Sequence, residues 1–278
     1  MGRNTIIKAI LLLALAGLGA GCLPQTENST APSLPPSVAG DNLWQPAPGT
    51  SWQWQLTGDF DASIEAEVYD LDLFETSPET VAGLHARGKR VLCYLSAGSQ
   101  EDWRPDAGDF PKEIIGRSYT GWPGERWLDI RRIDLLAPIM GARLDLCAAK
   151  GFDGVEADNL DSYQAKTGFP LTAADQRTYV LWLANAAHQR GLSIGLKNNP
   201  EQADELLPYV EFAITEDCFA QGWCQSMSPF IEAGKAVFAA EYTDTKTDLA
   251  EICPPARELH FSLILKQREL DAWRAGCP

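Results

Sequence analysis

The residues of this chain best suited to chemistry are carboxylates at the ends of short apolar runs. In chain order those ends carry Asp70 and Asp72; Tyr94 and Ser96; Asp158 with Asn159 and Asp161; Lys197 with Asn198; Glu216 with Asp217; and Glu241 with Tyr242. One acid at such a place is ordinarily a helix cap or a solvated loop residue. Acids recurring at these ends predict a convergent acidic cluster. Such a cluster can hold a divalent metal through oxygen ligands, perform two-carboxylate glycoside chemistry, or bind a cation without reacting. The metal use lacks support. His85, His188 and His260 lie far apart, no Cys/His set has zinc spacing, and Lys197 at the same mouth competes with a cation. No metal and no cofactor is expected. The glycoside use needs one ionised and one protonated carboxylate, with aromatic rings to stack on sugar faces. Trp103, Trp122, Trp127, Tyr163 and Trp223 fall in the segments that follow these runs.

The elements that must position these residues form a rhythm. Strand candidates are Trp52–Thr57, Glu67–Leu73, Arg90–Ser96, Asp153–Asp158, Leu192–Lys197, Glu211–Glu216, Ala236–Glu241 and His260–Lys266. Gly88, Gly151, Gly191 and Gly234 precede several of them, as residues that end helices. Between them lie helix-length stretches such as Leu135–Lys150 and Ala173–Arg190; in the second, Tyr179, Leu183, Ala186 and Ala187 share one face. Eightfold strand–helix alternation predicts an α/β fold, a (β/α)8 TIM barrel in a single domain over residues 44–278. Its functional face is the carboxyl-terminal end of the strands. The segment Gly98–Ile133 after the third strand, rich in Trp, Pro, Gly and Asp, is expected as a long loop over that mouth.

Charge and cysteine content limit the setting. Lys and Arg total 23 against 38 Asp and Glu, a net charge of −15. Such a surface repels nucleic acid and attracts cationic ligands, although solubility alone can account for it. At the N-terminus, Arg3 and Lys8 form a positive region before an apolar run, Ala9–Ala20, too short to span a membrane. It ends in Leu18-Gly19-Ala20-Gly21-Cys22, which suits lipoprotein processing. Residues 1–21 are therefore expected to be a signal peptide, with Cys22 lipidated and the only membrane attachment. Residues 22–43, rich in Pro, Ser, Thr, Ala, Asn and Gln, read as a flexible tether. Export to the cell envelope, or secretion, follows, and a monomer is expected. Six cysteines remain, consistent with an oxidising compartment. Cys218 pairs with Cys224 across a short Gly-containing loop, and Cys253 with Cys277 at the C-terminus. Cys93 and Cys147 lie in apolar stretches and read as free, buried thiols.

At the strand ends the chain resembles glycoside hydrolase family 114, the endo-α-1,4-polygalactosaminidases. The resemblance is carried by Tyr94-Leu-Ser-Ala-Gly-Ser99 with Arg104-Pro-Asp106, Gly121-Trp-Pro-Gly-Glu125 with Trp127-Leu-Asp129, Asp153-Gly-Val-Glu-Ala-Asp-Asn159 with Asp161, Gly195-Leu-Lys-Asn198, and Glu216-Asp-Cys218. It extends from about Trp44 to Cys277. Two departures are Ala157, where relatives commonly have Pro, and Phe152, where they often have Cys. The second leaves Cys147 as a substitute partner for Cys93. The resemblance implies a (β/α)8 barrel, a cationic amino-sugar polysaccharide as substrate, and Asp158 and Glu216 as the catalytic pair. The residues alone do not rank these two above Asp72 or Glu241. With the pair assigned, Asp70, Asp72, Tyr94, Ser96, Trp127, Asn159, Asp161, Lys197, Asn198, Glu241 and Tyr242 are expected to bind substrate. Lys197 has a second expected role, a salt bridge that orients Asp158. A polysaccharide-binding barrel without activity, or an exopolysaccharide assembly protein, is the alternative reading.

Overall fold

The computed structural model describes residues 43–277 apart from Lys246. The expected leader, the tether up to Asn42 and the lipidation at Cys22 lie outside the described residues. Chain order is β1 (Trp52–Gln55), β2 (Val68–Asp72), α1 (Pro78–Ala86), β3 (Arg90–Ser96), β4 (Ser99–Glu101), β5 (Ile115–Ser118), β6 (Glu125–Leu128), α2 (Ile133–Lys150), β7 (Gly154–Asp158) and α3 (Ala173–His188). It continues through β8 (Ser193–Lys197), α4 (Ala203–Leu206), β9 (Phe212–Glu216), α5 (Cys218–Gln221), α6 (Ser228–Glu232), β10 (Val237–Tyr242), α7 (Leu249–Glu258), β11 (Ser262–Lys266) and β12 (Ala275–Gly276).

All eight expected strands are present. They neighbour one another in chain order, β1-β2-β3-β7-β8-β9-β10-β11, and every pair is parallel. The sheet curls until the first strand meets the last, where the Trp52 indole N–H donates to the Ser262 carbonyl at 2.8 Å. This is the TIM-type barrel that the alternation predicts. The C-terminal segment spans the seam. β12 lies antiparallel on β11, the Leu56 N–H bonds the Leu270 carbonyl at 2.8 Å, and Arg274 donates to the carbonyls of Trp52 and Glu65.

The pleat decides what enters the barrel. On β10, Phe238, Ala240 and Tyr242 join Trp52, Trp54, Leu92 and Phe212 in an inner apolar cluster. Val237 and Ala239 face the helices instead. Gly195 leaves room for this filling, since a Cβ there would lie 2.3 Å from the Phe212 ring. Followed upward with period two, the same phase places Asp70, Glu156, Asp158, Lys197 and Glu216 inside. The lumen is thus apolar below and charged at its carboxyl-terminal mouth.

The helices close the outer layer. A capping box between Thr172 and Asp175 starts α3, and its buried face includes the expected Tyr179, Leu183, Ala186 and Ala187. Gly151, at φ 90°, ends α2 in the left-handed conformation. The structure departs from expectation in three places. Among the described residues, no helix lies between β1 and β2. The expected loop 98–133 contains a small antiparallel sheet of order β4-β6-β5, whose strands of three and four residues are too short to show a period. Cys93 and Cys147 are not the free thiols that their apolar surroundings suggest but the disulfide that the resemblance allowed, beside Cys218–Cys224 and Cys253–Cys277 as expected. Cys93 lies on the outward face of β3, the side on which the helices pack, and Cys147 on the buried face of α2.

Candidate active site

Lys197, at the end of β8, is the hub of the mouth. Its ammonium lies 2.9 Å from Asp158 Oδ1, 3.0 Å from Glu216 Oε2 and 2.7 Å from Glu156 Oε1. The Trp54 ring sits 4.7 Å from the same nitrogen. Burial pulls the lysine pKa down, but Asp158, Glu156 and Glu216 together hold it well above its ordinary value. One nitrogen touches both Asp158 and Glu216, so those two oxygens are within about 6 Å of each other.

Each carboxylate has further donors. Asp158 accepts the Tyr94 hydroxyl at 3.0 Å and the Asn159 backbone N–H at 2.8 Å. The Tyr242 hydroxyl donates to Glu216 Oε1. The Glu216 N–H in turn donates to Asn198 Oδ1 at 2.9 Å. Burial, reinforced by the neighbouring carboxylates, holds the Tyr94 and Tyr242 hydroxyls well above their ordinary pKa, so both stay protonated donors. Asn159, Asn198, Asn199 and Asp217 all have φ between 50° and 64°. Asn and Asp tolerate this left-handed conformation best among residues with a Cβ. Each follows a functional strand end and turns the chain off the sheet there.

The small sheet roofs one side of the mouth. The Asn159 amide donates to Ser96 Oγ, Ser99 Oγ and Glu125 Oε1, each at 3.0 Å. Gly98 approaches so closely that a Cβ would lie 1.9 Å from the Asn159 carbonyl oxygen. Burial pushes Glu125 up to about 7; the Ser99 hydroxyl opposes this, and the charges of Asp158 and Glu101 add to it. Arg104 spans Asp72 at 2.7 Å and Glu101 at 2.8 Å. These contacts enclose a cleft of about 1140 Å³, lined by eleven carboxylates and only three cations. The cations, Arg104, Lys197 and Arg268, are all already engaged in ion pairs. Asp161 lines the cleft with no ion-pair partner among the described residues, and burial together with the Asp158 charge pushes it up to about 6.

Of the expected site residues, Asp72, Tyr94, Asp158, Asn159, Asp161, Lys197, Asn198, Glu216 and Tyr242 line this cleft. Four expected to bind substrate do not, and they stand corrected. Asp70 points inward but lies below the mouth, fully buried. Ser96 is sealed beneath the small sheet, between Ser99 and Asn159. Glu241 falls on the face opposite Tyr242 and accepts the backbone N–H groups of Phe219 and Ala220 at the start of α5. Trp127 is buried, stacked 4.4 Å behind Tyr119, and Tyr119 is the ring that reaches the cleft. Trp103, Trp122 and Trp223 line it as expected, whereas Tyr163 does not. Glu125, Tyr119, Trp54 and Glu156 were not singled out from the sequence. Glu156 carried a signal, for it lies two residues before Asp158 on the same strand face. Cys218, Cys224 and Glu241 have atoms within 4.8 Å of one another, but the two sulfurs are bonded to each other and offer no thiolate.

A family model described as glycoside-hydrolase family GH114 matches residues 34–278. The chain belongs to this family. As a GH114 protein it is a glycoside hydrolase, which is the use of paired mouth carboxylates that the geometry accommodates. Among solved structures it is similar to Aspergillus fumigatus Ega3, crystallised in complex with galactosamine, at 39% identity and TM-score 0.79, covering 84% of this chain and 97% of that one. It also shares its fold with the glycoside hydrolase domain of PelA from Pseudomonas aeruginosa, at 15% identity and TM-score 0.63, covering 81% and 98%. A protein of Deinococcus radiodurans is 27% identical over 315 residues, covering 97% of both chains. The GH114 match contains every cleft residue named above.

Proposed function

We propose that this hydrolase cleaves internal α-1,4 linkages of a galactosamine-containing polysaccharide with retention of configuration, Asp158 acting as nucleophile and Glu216 as acid and base. The observation that carries the mechanism is the single ammonium shared by the two carboxylates. It keeps their facing oxygens within about 6 Å, which suits the closer spacing of retaining enzymes, with carboxyl groups about 5–5.5 Å apart, better than the roughly 6.5–9.5 Å spacing of inverting ones. Glu216 protonates the glycosidic oxygen while Asp158 attacks the anomeric carbon, breaking its bond to that oxygen and forming a glycosyl ester. Water then attacks the same carbon as Glu216 takes its proton, and Asp158 is released. Tyr94, the Asn159 N–H and Lys197 donate to Asp158, which fixes the direction in which its carboxylate faces the mouth. Support for the substrate is the galactosamine bound by Ega3 and a cleft whose carboxylates outnumber its cations, suited to sugar ammonium groups. Exposed Trp103 and Trp122 offer faces for sugar rings. Export is part of the same reading, with the chain working as a monomer anchored through Cys22; three disulfides fit an oxidising compartment.

The test is reducing-end release from partly deacetylated galactosamine polymer. Asp158→Asn and Glu216→Gln should each lower kcat by roughly 10³-fold or more while keeping the parent circular-dichroism spectrum. NMR of the first-formed product should show the substrate anomer. An inverted anomer excludes Asp158 as nucleophile, and polymer binding without cleavage by the parent excludes the hydrolytic reading of this substrate.

A further inference from the structure

Below the cleft floor lie two carboxyl groups that no step above uses. Asp70 and Glu156 are both 0% exposed. Glu156 Oε1 accepts the Lys197 ammonium at 2.7 Å. Its Oε2 and both Asp70 oxygens have no N–H or O–H donor among the described residues. A buried carboxylate left in that state is strongly disfavoured. Asp70 and Glu156 both point into the barrel lumen and interact strongly with each other, and two carboxyls can hydrogen-bond only if one of them carries a proton.

The neighbours decide which one. Lys197 touches Glu156 directly and favours its ionised form. Burial, followed by the Glu156 charge, holds Asp70 well above its ordinary pKa; Lys197 opposes this without making an ion pair to Asp70 among the described residues, and Asp158 adds to it. A proton on Asp70 then donates to Glu156 Oε2, giving a partner to that oxygen and to one of the two Asp70 oxygens. We propose that Asp70 and Glu156 form a proton-sharing carboxyl pair that positions the Lys197 ammonium between Asp158 and Glu216. Both are positioning residues and neither meets substrate. Lys197 is itself 2% exposed. With Glu156 below, Asp158 and Glu216 above and the Trp54 face beside it, the ammonium is held where it meets both catalytic oxygens at once. Without the Glu156 anchor, the flexible lysine stem is free to settle on one carboxylate and leave the other.

The kinetic arm of the test rests on the hydrolase reading above; a spectroscopic arm does not. Infrared spectra of the parent at about pH 9 should retain a protonated-carboxyl C=O band from Asp70, because Glu125, Glu156 and Glu241, pushed up only to about 7, and Asp161, to about 6, are ionised there. That band should vanish in Asp70→Asn and persist in Asp158→Asn. In turnover, Asp70→Asn should keep at least about tenfold more kcat than Asp70→Ala, since an amide N–H replaces the acid O–H as donor to Glu156. Glu156→Gln should lower kcat more than about tenfold with KM changed less than about threefold. Absence of the band in the parent, its survival in Asp70→Asn, or equal loss of kcat in Asp70→Asn and Asp70→Ala overturns the proposal. The band is read on the intact parent, so neither a misfolded alanine variant nor a failed substrate assignment leaves the proposal untested.

Discussion

Glu125 and Glu216 are both glutamates at one cleft, yet their surroundings differ. Glu216 touches an ammonium and a tyrosine hydroxyl, whereas Glu125 is buried beneath the roof with only Ser99 and Asn159 as donors. Burial therefore pushes Glu125 from 4.5 up to about 7. A raised acid binds a proton in the folded state that the unfolded chain has already lost. Its contribution is fully present below pH 4.5 and is lost as pH rises through about 7. Glu125→Gln, which keeps the shape and the acceptor oxygen, should match the parent in thermal melts at about pH 4 and exceed it at about pH 8, by on the order of 3 kcal/mol at most. A variant less stable than the parent at the higher pH would show that the ionised form is the favoured one. Neither Glu125 nor Glu156 stood out in the sequence, for different reasons. Glu125 is brought to the mouth by a loop whose path depends on long-range contacts such as that of Gly98 with Asn159. Glu156 was readable in principle, but attention to strand ends passes over an inward residue two positions earlier. Asp158, Lys197 and Glu216 were readable because strand periodicity alone puts them at the rim.

At the scale of elements, the parallel strands were legible because each is an apolar run that ends in a polar turn, and four of them, β3, β7, β8 and β10, follow a glycine that ends a helix. The β4-β6-β5 sheet was not, because its pairing joins residues as far apart as Gln100 and Arg126 without a hydrophobic repeat. The same limit kept the residues alone from deciding the Cys93–Cys147 bond, for which the family resemblance had offered Cys147 as a partner. Apolar surroundings suit a buried thiol and a buried disulfide equally, and only the packing of α2 against β3 brings the sulfurs together. That bond closes the longest of the three loops, 54 residues against 24 and 6. Chain-entropy arguments assign such a cross-link about 4 kcal/mol and the shortest about 2 kcal/mol. Urea unfolding of the paired Cys→Ala variants should reproduce that order, with Cys93→Ala/Cys147→Ala losing most. An equal loss for the six-residue loop would place the stabilisation in the folded state rather than in the unfolded chain.

At the scale of the whole molecule, the charge of −15 acquires a direction. The carboxylates are not simply spread over the surface; eleven of them line one cleft in which every cation is already paired. The field of such a cleft attracts a polycation from a distance set by salt. Between about 0.01 and 0.15 M ionic strength the screening length falls from roughly 30 to 8 Å. Under the proposed function, kcat/KM on deacetylated galactosamine polymer should therefore fall by about an order of magnitude across that range. The fully N-acetylated polymer carries no ammonium groups and should show little change. Asp161→Asn should flatten the salt response of the deacetylated substrate, since this carboxylate lines the cleft without a cation of its own. Its effect should appear in KM, because binding of a distant ammonium is shared by the ground and transition states. If both polymers respond to salt alike, the acidity serves solubility, and recognition of the sugar must come from the aromatic rim and the hydroxyl-binding groups at the mouth.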